Sequence, residues 1–258
     1  MSEVPRDRWQ RPLIVPPDGG DPVPYARASS YGDVLEDRRN LEKWLIRTAA
    51  VGLSDRPDLL LSVAAHRSDK RKLDRVCDEA VEAAKGSAKA TTGTALHALT
   101  ELVDQGSGLP QLPDSAVADL EAYRQATAGL HVEAIETFVV LDRPQVAGTF
   151  DRIVEYGGDR YVADIKTGSV KWGQGKIAVQ LAVYANGDRY DPETGTRAPL
   201  DVSREWGLVI HLPQGEGECH LFWVDLDAGW RGVELASEVR GWRRETAGLL
   251  TAVEGVPA

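Results

Sequence analysis

Asp151 closes a Gly-Thr-Phe-Asp run, Asp164 and Lys166 belong to an Asp-Ile-Lys thirteen residues on, and Gln180 and Tyr184 follow four apart. Two carboxylates brought together repel, and an unpaired buried charge is costly. A divalent cation removes the repulsion, and an all-oxygen ligand set completed by water suits Mg2+ or Mn2+. A neighbouring ammonium, Lys166, can then orient a water or neutralise charge building on a phosphate. A Gln amide and a Tyr hydroxyl on one helical stripe can hold a phosphate or a positioned water. The chemistry such a set can do is metal-assisted hydrolysis of a phosphodiester. Asp-x-Lys alone also describes a solvated surface ion pair, and Gln-x-x-x-Tyr alone an ordinary amphipathic helix.

The elements that must position these groups are legible around them. Residues 147–156 and 160–167 are two β-like runs separated by Gly157-Gly158-Asp159, a turn signal, and together they predict a hairpin. Alternation along the second run places Val162, Asp164 and Lys166 on one face, with Ile165 on the other. A hairpin with this turn can bring Asp151 alongside Asp164. Ile177, Leu181 and Tyr184 recur at helical spacing and predict a helix over 172–189, with Lys176, Gln180 and Tyr184 along one edge.

Gly148-Thr-Phe-Asp151, Asp164-Ile-Lys-Thr-Gly168 and Gln180-Leu-Ala-Val-Tyr184, in that order and in a strand–turn–strand–helix context, resemble the core of the PD-(D/E)XK nucleases, nearest the RecB-like exonuclease branch. The resemblance covers about residues 91–225. It implies an α+β fold like that of restriction endonucleases, with a mixed central sheet flanked by helices, preceded here by a helical extension. It implies that Asp151, Asp164 and the Ile165 backbone carbonyl hold one or two divalent ions. Gly93-Thr-Ala-Leu-His97 matches the family's Gly-Thr-x-x-His, which gives His97 a ligand's role and tilts the metal toward Mn2+. Read without the family, His97 is a surface or satisfied core histidine. Glu101, four residues on, stands where it can orient His97, and Glu136, at the mouth of an apolar strand, matches a supporting glutamate of the family.

The rest of the chain frames this centre. Length and a 42% hydrophobic content predict one sizeable core with elaborations, divided into an arm and helical extension over 1–90 and a core over 91–258. Six of the fourteen prolines fall in residues 1–30, read as an irregular arm. Helices are expected over 31–51, 56–66, 69–85, 92–105 (capped by Thr91 or Thr92), 115–129 and 227–253 (capped by Asp227), and an apolar strand over 137–141. Residues 187–203 read as a loop, and 204–212 and 218–226 as two further strands. Arg27 and Ser30 have the types to touch a phosphate. Lys85, Lys89, Lys171, Lys176 and the stretches 66–75 and 240–244 can form a basic path. The net charge of −10 argues against nonspecific nucleic-acid binding by the whole surface, although a local groove is allowed. Cys77 and Cys219 are too few for a disulfide scaffold or an iron–sulfur cluster and fit a reducing cytoplasm. No apolar run suggests a signal peptide or membrane span. Gly168 to Gly173 opens like a phosphate loop but has Gln174 where the lysine belongs. His211 and His220 read as structural.

The expected activity is therefore a metal-dependent DNA exonuclease. The family adds a setting in phage recombination, a single-strand annealing protein as partner, and the possibility of an oligomer. A structure- or site-selective endonuclease on the same core, or a noncatalytic DNA-binding protein retaining the fold, are the alternatives.

Overall fold

The computed structural model describes residues 3–85, 88–246 and 249–250. In chain order, β1 is Leu13–Ile14, β2 Val23–Pro24 and β3 Ala26–Arg27, followed by a 3-10 helix Ala28–Leu35. Helices α1 (Arg39–Asp55), α2 (Pro57–Ala65), α3 (Lys70–Lys85), α4 (Ala88–Asp104) and α5 (Asp114–Thr127) come next. The strands β4 (His131–Leu141), β5 (Val146–Tyr156) and β6 (Asp159–Lys166) lead into α6 (Gln174–Asn186). The chain ends with β7 (Asp188–Tyr190), β8 (Arg197–Pro199), β9 (Trp206–His211), β10 (His220–Asp225) and α7 (Leu226–Glu245). The protein is thus an α+β structure with a mixed sheet flanked by helices. Among the described residues no helix is long and apolar enough to cross a membrane.

Two compact units divide the chain at boundaries other than residue 90: residues 1–36, 125–211 and 219–258 form the first, and 37–124 with 212–218 the second. The proline-rich arm belongs to the first unit. Ile14 and Tyr25 bury completely in a cluster with Val140, Ala147 and Tyr190, so apolar residues spaced between the prolines pack the arm into a core shared with β4, β5 and β7.

The first unit is built on a sheet in the order β10-β9-β6-β5-β4-β7-β8, with β3 beside the start of β5. Neighbours are antiparallel except β6–β9 and β3–β5, which are parallel. The β5–β6 hairpin turns on two residues, Gly157 and Gly158, both at positive φ (64° and 93°), as a primed turn requires. Helix α6 is shorter than the spacing predicts, because Gly187 ends it and Asp188–Tyr190 pairs with β4. Residues 187–203 therefore contain two short strands that widen the sheet. Seven consecutive residues of α6, Val179–Ala185, are buried. The helix lies between the sheet on one side and the 3-10 helix and α7 on the other, which is why it is apolar nearly all round and not amphipathic. Asp225 caps α7 through the Ala228 N–H at 2.8 Å, and Asp227, the expected cap, lies one residue inside the helix. The expected end at Val253 falls outside the described residues.

In the second unit α2, α3 and α5 follow the predicted spans closely. The expected helix over 31–51 is two elements, the 3-10 helix of the first unit and α1. On α1 the large apolar residues Leu41 and Trp44 are exposed. Helix α4 starts at Ala88, ahead of its expected caps; the side chains of Lys85, Lys89, Thr91 and Thr92 lie outside the described residues. Asp119, buried on α5, accepts the N–H groups of Gly215 and Gly217 at 2.7 and 2.9 Å and so fixes the turn at 212–218.

Candidate functional site

Strands β5 and β6 pair from Tyr156↔Asp159 to Arg152↔Ala163. One residue beyond that last rung the backbones give way to a side chain: Asp151 Oδ2 accepts the Ile165 N–H at 2.5 Å. Asp151 and Asp164 therefore come together at the open end of the hairpin. On the other side of β5, the rungs Ile135↔Arg152 and Thr137↔Phe150 leave Glu136 opposite Asp151. Glu136 holds a positive φ of 50°, a conformation that is uncommon for a non-glycine residue. Three carboxylates thus stand on three adjacent strands.

Helix α6 closes this row from one face. Asp164 is 4% exposed and ion-pairs through Oδ2 with the Lys166 ammonium. Lys166 Nζ also donates to Gln180 Oε1 at 3.2 Å. Gln180 Nε2 donates to Asp164 Oδ1 at 3.4 Å and to the Tyr184 hydroxyl at 2.9 Å. An unsatisfied buried polar group costs about 1–3 kcal/mol, so Gln180 (7% exposed) and Tyr184 (2% exposed) are held in place by these bonds. Burial, then the charge of Asp164, push the Tyr184 hydroxyl above the ordinary tyrosine range; the bond donated by Gln180 opposes this, and Asp151 and Glu136 add to it. All three carboxylates therefore act on one hydroxyl. Tyr184 stays protonated at neutral pH and cannot serve as a base there.

Two local features make the arrangement fit. Gly148, the first residue of Gly-Thr-Phe-Asp, faces Tyr184: a Cβ there would lie 3.1 Å from Tyr184 Cε1 and 3.1 Å from the Ala28 Cβ. Phe150 packs its ring 5.4 Å from that of Tyr184. Arg152 is a residue the sequence reading overlooked. It is almost fully buried and its Nη1 donates to the Asp151 carbonyl at 2.8 Å, which steadies the strand next to the carboxylate. An arginine within the apolar run Phe150–Val154 is the signal that was available.

The other expected residues are placed as follows. His97 and Glu101, both half-buried, are on α4 in the second unit, one turn apart; Asp151, Asp164 and Lys166 are in the first. Arg27 is exposed on β3 and pairs with Ala147, next to Gly148. Ser30 turns its hydroxyl back to the Arg27 carbonyl at 3.4 Å, a local role. Lys176 is engaged by Asp33 at 2.6 Å and not aligned with Gln180 as an open cation. Lys171 stands 5.5 Å over the Trp172 ring and lines a groove of about 690 Å3 with Gln174, His211 and Phe222. His211 Nε2 bonds the Gly168 carbonyl at 3.0 Å, in keeping with a structural reading.

Among the described residues no group of three or more His, Cys, Asp or Glu is disposed to hold a metal ion by itself. Mg2+ does not ask for such a cage, because it keeps several waters and binds through one or two carboxylates plus substrate phosphates. Asp151 and Asp164 are the two carboxylates here that could serve in that way. The Lys166 ammonium on Asp164 Oδ2 shows that this oxygen accepts a cation.

No family model matches the chain, and no curated protein matches it. Among solved structures, one described as "Crystal structure of SSO0001" is 15% identical and covers 78% of this chain and 85% of that chain, with a TM-score of 0.30. A superposition that loose carries no argument about chemistry.

Proposed function

We propose that the protein is a divalent-metal-dependent deoxyribonuclease of the PD-(D/E)XK type, acting as an exonuclease. The observation that supports the reading best is the convergence at the open end of the β5–β6 hairpin: Asp151 and Asp164 side by side, with Lys166 held between Asp164 and Gln180. A bound Mg2+ or Mn2+ supplies Lewis acidity and a water of lowered pKa. Asp151, Asp164 and the Ile165 carbonyl would hold it. Lys166 gives positive charge to the phosphoryl oxygens and orients the attacking water, in a direction set by Gln180. Tyr184, kept neutral, fixes Gln180. Glu136 takes a supporting place beside Asp151. The resemblance alone gives His97 a ligand's role, with Glu101 orienting it. DNA is the partner in this reading, together with a single-strand annealing protein in recombination, in a cytoplasmic setting.

The experiment is digestion of a linear duplex and its covalently closed circle with Mg2+, Mn2+ or EDTA, beside Asp164→Ala and Lys166→Ala. Metal-dependent loss of the linear form alone, absent in both variants, is the expected result. Cutting of the circle moves the assignment to an endonuclease. No hydrolysis of duplex, single strand or RNA with either metal removes the catalytic reading. His97→Ala is read as the Mn2+ concentration giving half the maximal rate: a rise supports a ligand's role, and no change removes it.

A further inference from the structure

On the first unit a cleft of about 280 Å3 lies between the arm, the β4–β5 turn and the last turns of α7. Its charged lining is Arg11, Arg240 and Arg244, with Gln145 beside them, and no Asp or Glu is among the described residues that line it. The chain as a whole has 40 acidic and 30 basic residues, so an acid-free lining with three arginines is against the average.

Arg240 is the fixed member. Its Nη2 donates to the carbonyls of Ser30 and Tyr31 at 3.1 and 3.2 Å, and its guanidinium stands 4.6 Å over the Tyr31 ring. The Tyr31 hydroxyl is itself tied to Ser237 Oγ at 2.8 Å. One edge of the fork is thus anchored, while Nε is buried and has no partner among the described residues. A charged donor left buried and unsatisfied is uncommon in a folded protein. Arg244 is one turn on along the same face of α7 and exposed. Cations near a helix C-terminus are favoured by its dipole, which accounts for Arg243 and Arg244 in the last turn. It does not account for Arg11, which comes from the arm, or for the unpartnered Nε of Arg240. Arg11 is partly neutralised by Asp7, at 2.7 Å. Gln145 holds a φ of 67°, the left-handed region, and still presents itself to the cleft.

We propose that this cleft binds a phosphate group, and that it anchors a backbone phosphate of DNA away from the one that is cut. The second half rests on the deoxyribonuclease reading. Guanidinium forks match phosphate oxygens two at a time, so a pair one helical turn apart is suited to a tetrahedral anion. The cleft and the candidate site share β5: Gln145 precedes the strand and Asp151 lies six residues on, about 20 Å at 3.3 Å per residue. Along a duplex that is roughly six base-pair steps at 3.4 Å each, so one DNA molecule reaches both.

The test is DNA binding by fluorescence anisotropy with EDTA present, as a function of salt, for the wild type, Arg244→Gln and Arg240→Lys. Arg244 is exposed, so its variant keeps the fold even where Arg240→Lys loosens the packing on Tyr31. The expected result is a three- to tenfold loss of affinity in Arg244→Gln, with the slope of log K against log salt reduced by about 0.9 for the lost contact. In parallel, inorganic phosphate raises the melting temperature of the wild type and not of Arg244→Gln. Unchanged DNA affinity and slope with phosphate protection lost means a site for free phosphate and overturns the DNA anchor. If neither readout moves, the cleft does not bind phosphate. EDTA removes turnover from the measurement, so failure of the nuclease reading leaves this result interpretable.

Discussion

Two clusters in the first unit are made of the same groups, a carboxylate, a cation and a tyrosine, yet they behave as opposites. In the first, Arg197 forks onto both oxygens of Asp142 at 2.9 Å and also donates to the Val15 and Gly195 carbonyls. Tyr25 donates to the same carboxylate at 2.6 Å. Partial burial pushes the Asp142 carboxyl up, but the bonds from Arg197 and Tyr25 and the Arg197 charge outweigh it and leave the group below its ordinary value. Burial, with the bond and charge of Asp142, pushes Tyr25 up to about 12. One carboxylate meets one guanidinium, and the set joins the arm to β8. In the second cluster, Asp164, Asp151 and Glu136 all act on Tyr184, Lys166 pairs with Asp164, and the buried Arg152 guanidinium donates to the Asp151 carbonyl. The first cluster is closed by a guanidinium that binds both oxygens of its carboxylate, and in the second an ammonium sits on Asp164 Oδ2. A planar, many-bonded guanidinium locks a structure, whereas an ammonium on a flexible stem can leave its partner when a stronger cation comes. The kind of cation and the way it is held, and not the presence of an ion pair, distinguish the two clusters.

The largest effect that can break this contrast is at Asp164. Asp164→Asn should lower metal-dependent DNA cleavage by about 10^3-fold while the protein stays folded. A variant that loses activity only by unfolding would make Asp164 structural, like Asp142. Lys166→Met comes next. Cleavage should fall by about 10^2-fold, but Mn2+ binding measured by calorimetry should tighten, because the ammonium no longer competes for Asp164. Weaker Mn2+ binding would show that Lys166 supports the metal and does not stand in its place.

The Asp142 cluster should answer in stability alone. Arg197→Met leaves a part-buried carboxylate without its counter-charge, with only the Tyr25 bond remaining, and should cost about 2 kcal/mol, the buried-pair figure of about 3–5 kcal/mol discounted for partial exposure, with cleavage unchanged. Its pH window follows from the directions of the shifts. Folding lowers the Asp142 pKa, so that contribution is complete above the unfolded carboxyl value and is lost as pH falls through the lower folded one. Folding raises Tyr25, so its contribution is complete below the unfolded tyrosine value of 10.0 and is lost as pH rises through about 12. Asp142→Asn should flatten the acid side of a melting-temperature profile, and an unchanged acid side would remove the cluster from this role. Tyr184→Phe should have the smallest effect. It removes one hydrogen bond from Gln180, worth about 1 kcal/mol, and should slow cleavage by a few-fold without changing metal affinity. A loss as deep as that of Asp164→Asn would give the hydroxyl a direct part in the reaction.

Much of the candidate site was legible because its signals are local. Alternation along Arg160–Lys166 put Asp164 and Lys166 on one face, the Gly-Gly turn returned Asp151 toward them, and helical spacing put Gln180 and Tyr184 on one stripe. Lys176 follows the same spacing, yet Asp33 takes it, because the 3-10 helix packs on α6 and brings a carboxylate that no local pattern announces. The loop reading of 187–203 failed for a related reason: strands of three residues are too short to show alternation and exist only because β4 has an edge to pair with.

The sequence by itself determined what depends on neighbours along the chain: the periods of strands and helices, the β5–β6 turn, and the residue types of the candidate site. Only the tertiary structure decided what depends on residues far apart. It placed Glu136 opposite Asp151, buried Val179–Ala185 of α6, gathered Arg11 with Arg240 and Arg244, and gave Asp142 a guanidinium and Asp164 an ammonium. Side-chain period is a local property, but the balance of charge at a point in space is a sum over every element that reaches it.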